Sequence, residues 1–142
     1  MTPLEEFEAR WNAVVLPAIG LPLIKPSNTH VDVDTLPDPW AGVIVNSQEF
    51  RNLTMGSQPW CEETGTFLVG TFIKSGKGFA GNDATARTVR EAFMNWSSAP
   101  SGERLFVESV AGPLDIDPDA EGGWHQLALE LRYQAWTQGA AP

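Results

Sequence analysis

The stretch Thr66-Phe67-Leu68-Val69-Gly70-Thr71-Phe72-Ile73-Lys74, its continuation Ser75-Gly76-Lys77-Gly78-Phe79-Ala80-Gly81, and the segment to Trp96 decide the fold. The first nine residues are rich in aromatic and β-branched types and too short for a typical helix, so they read as a strand. The glycines after it make a turn. Asn82 or Asp83 is placed to cap a helix, because either side chain accepts a bond from a free first-turn N–H. Ala86, Val89, Phe93 and Trp96 recur at steps of three and four, which predicts a helix from Asp83 to Trp96 with one apolar face that needs a sheet to cover it.

The turn spells G-x-G-x-x-G across Gly76, Gly78 and Gly81. In a dinucleotide fold the strand heads a βαβ unit, and an acid about 20 residues on, at the end of its second strand, holds the ribose. The next strand candidate starts only after Pro100 and Gly102, and its acid, Glu108, sits mid-strand on the face of Phe106 and Val110. A Walker loop fails as well, since Gly78 stands where Ser or Thr must follow Gly76-Lys77. The turn is expected to bind no nucleotide.

Outward from this unit, Trp40 to Leu53 reads as a strand that pairs with Glu62 to Lys74 in an antiparallel hairpin. Its tip, Thr54 to Cys61, carries Met55 and Trp60, which either fold back or meet another chain. Arg104 to Ala111 makes a third strand, stopped by Gly112-Pro113. Asp115-Ile116-Asp117-Pro118-Asp119 opens like a calcium loop, but Ala120 stands at the glycine position and Gln126 at the bidentate glutamate position, leaving an acidic turn. After Gly122-Gly123 comes the cleanest strand, with Leu127, Leu129, Leu131, Tyr133 and Ala135 facing one way. Its other face, ending at Trp136, is wet or meets a neighbouring subunit.

On the other side, Thr2-Pro3-Leu4-Glu5 is a capping box with proline at the first helical position. Leu4, Phe7, Trp11, Val14, Val15 and Ala18 come next at helical spacing, and Pro17 limits the far end. Prolines 22, 26, 37 and 39 then break any regular pattern. His30, Asp32 and Asp34 alternate onto one face, but no further His or Cys lies nearby to complete a transition-metal site.

The 142 residues fit one domain, with residues 1–18 as N-terminal helix, 19–39 as proline-broken segment and 40–137 as sheet and helix core. A net charge of −9 with only nine basic residues weighs against nucleic-acid binding, which draws on Lys and Arg. Cys61 is the lone cysteine, so no internal disulfide forms and a reducing compartment is the simpler inference. The longest apolar run, Val14 to Ile24, is broken by Pro17, Gly20 and Pro22 and falls short of the roughly 20 residues a membrane helix needs. Glu5, Glu6 and Glu8 stand where a secretory signal would be basic. The sequons at Asn52 and Asn95 are then chance matches. No G-x-S-x-G or H-E-x-x-H motif occurs, and neither His30 nor His125 has an evident Ser or Cys companion.

In this order of elements the chain resembles the tail-terminator (tail-completion) proteins of long-tailed bacteriophages. The likeness is carried by Gly65 to Lys74, the Gly76 to Gly81 turn, the helix with Ala86, Val89 and Phe93, and Gly122-Gly123-Trp124 to Tyr133, and it spans about residues 40–137. It implies an α+β fold in which a mixed, mostly antiparallel sheet, here of about four strands, carries two main helices. It also implies a homohexameric ring in the virion, assembled in the host cytoplasm, that caps the tail tube and contacts the head connector. No catalytic, cofactor-binding or metal-binding residues are implied. The interface candidates are Met55, Trp60 and Trp136. A tail-tube or head-tail joining subunit is the nearer alternative, and a dinucleotide-binding enzyme, resting on the glycine turn alone, the more distant one.

Overall fold

The computed structural model describes residues 2–24, 36–56, 59–74, 79–98, 103–115 and 124–138. The glycine turn at residues 75–78, the His30–Asp34 alternation, Asp117, Asp119 and Gly122-Gly123 lie outside the described residues.

The chain opens with α1 (Pro3–Arg10), whose Thr2 hydroxyl accepts from the Glu5 N–H at 3.2 Å while Pro3 occupies the first turn. A wider π-helical turn comes next at Trp11–Val15, and α2 (Leu16–Ile19) completes the segment. The helical segment thus ends at Ile19, two residues after Pro17 and close to the far end expected at residue 18. In a regular helix the Pro17 ring would press on the carbonyl four residues back. The wide turn, in which the Leu16 N–H reaches the Trp11 carbonyl, lets the chain pass. The same extra residue rotates the last turn of the segment, so Phe7, Trp11 and Val15 are buried while Ala18 is exposed. Gly20, at φ 64°, ends the helix in the left-handed conformation.

The strands are β1 (Leu23–Ile24), β2 (Trp40–Asn52), β3 (Trp60–Lys74), β4 (Ser97–Ser98), β5 (Glu103–Asp115) and β6 (Trp124–Gln138). They form one curled sheet in the order β1-β2-β3-β6-β5-β4. Only β1 and β2 are parallel; every other pair is antiparallel. The fold is thus α+β with a mixed sheet, but with six strands rather than about four. The two extra strands are two residues each, too short to carry any period, and each sits at a sheet edge.

The long hairpin has the predicted antiparallel pairing, from Trp40 opposite Phe72 to Asn52 opposite Cys61, with Gln48 bulged out between Ser47 and Glu49. Strand β6 runs beside β3 along its whole length. In β5 the structure departs from the sequence reading twice. Glu108 is an extra residue between Val107 and Ser109, so Val110 comes opposite Leu131 and turns toward the core instead of sharing a face with Phe106. Nor does Gly112-Pro113 stop the strand. It forms a second irregularity, with Gly112 at φ 104°, and pairing resumes at Leu114 and Asp115. A Cβ on Gly112 would lie 2.5 Å from the Ala128 carbonyl oxygen, so only glycine fits there.

Helix α3 (Phe79–Phe93) begins before Asn82, so neither Asn82 nor Asp83 caps it, and Gly81 belongs to the helix rather than to the glycine turn. Ala86, Val89 and Phe93 are buried and Trp96, beyond the end of α3, meets Phe93 edge-on at 5.6 Å. Both helical segments cover one face of the sheet. That face supplies Ala41, Val43, Phe67, Val69, Leu105, Val107, Leu129, Leu131 and Tyr133 to one core, against Phe7, Trp11, Val15, Val89 and Phe93.

Candidate functional site

Strand alternation sends every second residue to the opposite, outer face. The register sets these residues in transverse rows. Trp40, Phe72 and Gln126 form one row; Gly42, Gly70, Ala128 and Leu114 the next; Ile44, Leu68, Glu130 and Ala111 the third. Between the Trp40–Phe72 wall and Ile44–Leu68, with Gly42, Gly70 and Ala128 as its floor, the β2, β3 and β6 parts of these rows leave an apolar trough of about 290 Å³. Trp40 and Phe72 stack at 4.0 Å and 6°, and Trp124 meets Trp40 edge-on at 6.2 Å. The rings lie down over the glycines: a Cβ on Gly70 would come within 2.8 Å of the Phe72 ring. Ile44 is 60% exposed and Leu114 63%, a large apolar area for a sheet to leave in water.

A polar belt crosses the middle of this face. Arg132 lies 3.7 Å from Glu130, and Gln134 donates to Glu108 at 3.0 Å. Beyond the belt, Leu53, Thr54, Trp60 and Trp136 line a second, more open hollow of about 550 Å³. Its geometry is fixed locally. The Leu53 N–H donates to the Trp60 carbonyl and the Trp60 N–H to the Thr54 hydroxyl, both at 2.7 Å, which closes the hairpin end. The Trp136 indole donates to Glu62 at 3.2 Å, and Glu62 pairs with Arg51 at 3.1 Å. Of the three residues singled out from the sequence, Trp60 and Trp136 come together here, while Met55 projects past them with 99% of its surface exposed. The trough itself was missed. Its signal was present in Thr66–Ile73, where outward Leu68 and Phe72 alternate with inward Phe67 and Val69, leaving neither face polar.

His125 belongs to a different arrangement. Buried Asn82 on α3 donates from Nδ2 to the carbonyls of Thr71 and His125, at 3.2 and 3.3 Å, and lies 3.2 Å from His125 Nδ1. His125 Nε2 lies 3.2 Å from Asp115. These bonds tie α3 to β3, β6 and the end of β5. Asn82→Ala is expected to cost about 1–3 kcal/mol, because it strands two carbonyls in a buried place. A melting curve that stays within 1 °C of the parent would refute that role.

Cys61 is buried, with Sγ 3.2 Å from Asn52 Oδ1. Among the described residues no three His, Cys, Asp or Glu side chains gather as metal ligands, and no helix is long and apolar enough to cross a membrane.

No protein family and no curated protein matches the sequence. Nine chains of solved structures do match in fold. One of them, a protein whose name states no activity, is 16% identical with a TM-score of 0.55, over 90% of this chain and 94% of its own length. At that identity the likeness speaks for the architecture alone.

Proposed function

We propose that the chain is a structural subunit of a long-tailed bacteriophage virion, the tail terminator, which closes into a homohexameric ring on the tail tube and presents a surface to the head connector. The observation that carries this reading is the outer sheet face, with an apolar trough at one end and an exposed apolar hairpin end at the other. A subunit that functions alone gains nothing from this exposure, whereas a subunit of a ring buries it. The layout of residues 40–137 supports the same reading. So does the net charge of −9, because like charge keeps a DNA passage from gripping its cargo.

A terminator acts by assembly rather than chemistry, and its contacts must close. A head-to-tail contact closes into a ring when its rotation fits and otherwise grows a filament. Six chains of 15.5 kDa give a ring of about 93 kDa. Such a ring gains from a symmetric template, since a weak contact is strengthened when it is repeated. The test is light scattering of the free protein together with electron microscopy of tail tubes to which it is added. Rings near 93 kDa or capped tube ends are the expected result. Long tubes of this chain would assign it to the tail tube instead, and bare tube ends with a strictly monomeric protein would overturn the proposal.

A further inference from the structure

The trough and the hairpin end lie on the same outer face but cannot serve each other within one chain. Roughly ten residues of β3 separate Trp60 from Gly70, which at about 3.3 Å per residue is about 33 Å. Resting on the ring reading, we propose that the ring contact is a knob-in-trough joint, in which the hairpin end of one subunit, led by Met55, seats in the trough of the next, between the Trp40–Phe72 wall and Ile44–Leu68.

Two features select a second copy as the occupant. The first is charge. Lys74 stands exposed on the outer face at one end of the trough, on a chain that is otherwise strongly acidic, and at the other end Arg132 is exposed beside Glu130. The arm leading to Met55 brings Glu49, exposed on its outer face, while its Glu62 is paired with Arg51. The exposed Glu49 of such an arm meets least repulsion where Lys74 flanks the groove. The second is fit. A thioether is unbranched and adapts to irregular apolar space, and among the described residues Met55 is the most exposed large apolar side chain.

The contact joins different patches on each subunit, so it is head-to-tail, the type a ring requires. Each subunit offers one knob and one trough, and closing the ring leaves neither uncovered.

The experiment is disulfide trapping in a Cys61→Ala background, with one preparation carrying Met55→Cys and another Leu68→Cys. Mixed, assembled on tail tubes and oxidised, they are expected to give a cross-linked pair that neither gives alone. Met55→Asp, at a fully exposed position that leaves folding intact, is expected to weaken self-association about tenfold or more. Rings that form without a 55–68 cross-link and tolerate Met55→Asp would overturn the joint while leaving the ring in place. Cross-links from Met55 to the tube protein alone would also overturn it, by assigning the knob to that partner. A protein that stays monomeric at every concentration, with and without tubes, would overturn the ring itself.

Discussion

Phe7→Ala is expected to remove about 3–5 kcal/mol of folding stability, the range for deleting a fully buried aromatic side chain. Phe7 is wholly buried and sits in a column of rings drawn from four elements. It stacks on Phe93 of α3 at 4.6 Å and 12°, and on Phe67 of β3 at 4.8 Å and 29°. Phe67 in turn stacks on Tyr133 of β6 at 4.6 Å. Without Phe7, the N-terminal helical segment keeps the Arg10 bonds to the Ala92 carbonyl at 2.9 and 3.1 Å and the Trp11 indole bond to the Leu21 carbonyl at 2.9 Å. Polar links of this kind contribute about 1 kcal/mol each and do not refill the space. Since a domain of this size has a total stability of only about 5–15 kcal/mol, the variant should be partly unfolded well below the parent's midpoint. Urea titration followed by tryptophan fluorescence measures the change. Phe50→Ala is the control: Phe50 is 62% exposed, and its loss should shift stability by no more than about 0.5 kcal/mol. If the two variants behave alike, the ring column is not what holds the N-terminal helix.

That column also marks how far the sequence could be read. The helical spacing of Phe7 and Trp11, the spacing of Val89 and Phe93, and the alternation of Leu127 to Ala135 each identified a buried face, because periodicity records which side of an element is dry. The joining of those faces is not periodic. Nothing local states that β6 would lie between β3 and β5, since the order of strands is a property of long-range pairing. The bulges at Gln48 and Glu108 were invisible for the same reason: an extra residue shows only against a partner strand, and after each bulge the inward parity reverses. Gly112-Pro113 misled: it reads as a stop, and the left-handed Gly112 carries the strand past it, whereas Pro17 marks the end of its helix to within two residues, the π-helical turn before it making room for the ring. Asn82 looked like a cap because Asn favours that position, yet the helix starts earlier and uses its amide to clamp two strand ends.

For the surface, legibility divided along the same line. Met55, Trp60 and Trp136 stood out one by one as large apolar residues next to breakers or at a strand end. The trough needed three strands in register before Gly42, Gly70 and Ala128 became one row. A strand with both faces apolar normally signals burial on both sides. Among the described residues the helices cover only one, and the second face keeps Ile44, Leu68 and Leu114 exposed.

Gly65→Ala is expected to cost about 3 kcal/mol, at the upper end for forcing extra volume into a packed interior. Gly65 lies between Ser47 of β2 and Tyr133 of β6 on the core face. A Cβ there would stand 2.4 Å from the Asn46 carbonyl oxygen and 2.7 Å from the Tyr133 hydroxyl. The first neighbour is backbone within the hairpin and the second belongs to a fully buried ring, so neither can simply swing away. Tyr133 also reports the damage, because it is the only tyrosine in the chain and its ultraviolet titration is therefore unambiguous. In the parent protein burial holds its phenol proton above the ordinary value of 10, aided by donation to the Glu63 carboxylate and by that group's negative charge. The sign is then fixed. The folded chain keeps a proton that the unfolded chain releases above pH 10, so this contribution is complete below pH 10 and is lost as pH rises through the folded value. With the ring pushed off Gly65 and the Glu63 bond broken, Tyr133 in the variant should ionise nearer to 10. The paired outcome is thus a lower urea midpoint together with an earlier phenolate absorbance. A variant as stable as the parent, with its tyrosine titrating at the parent's pH, would show that the β2–β3–β6 crossing at Gly65 has room the structure denies it.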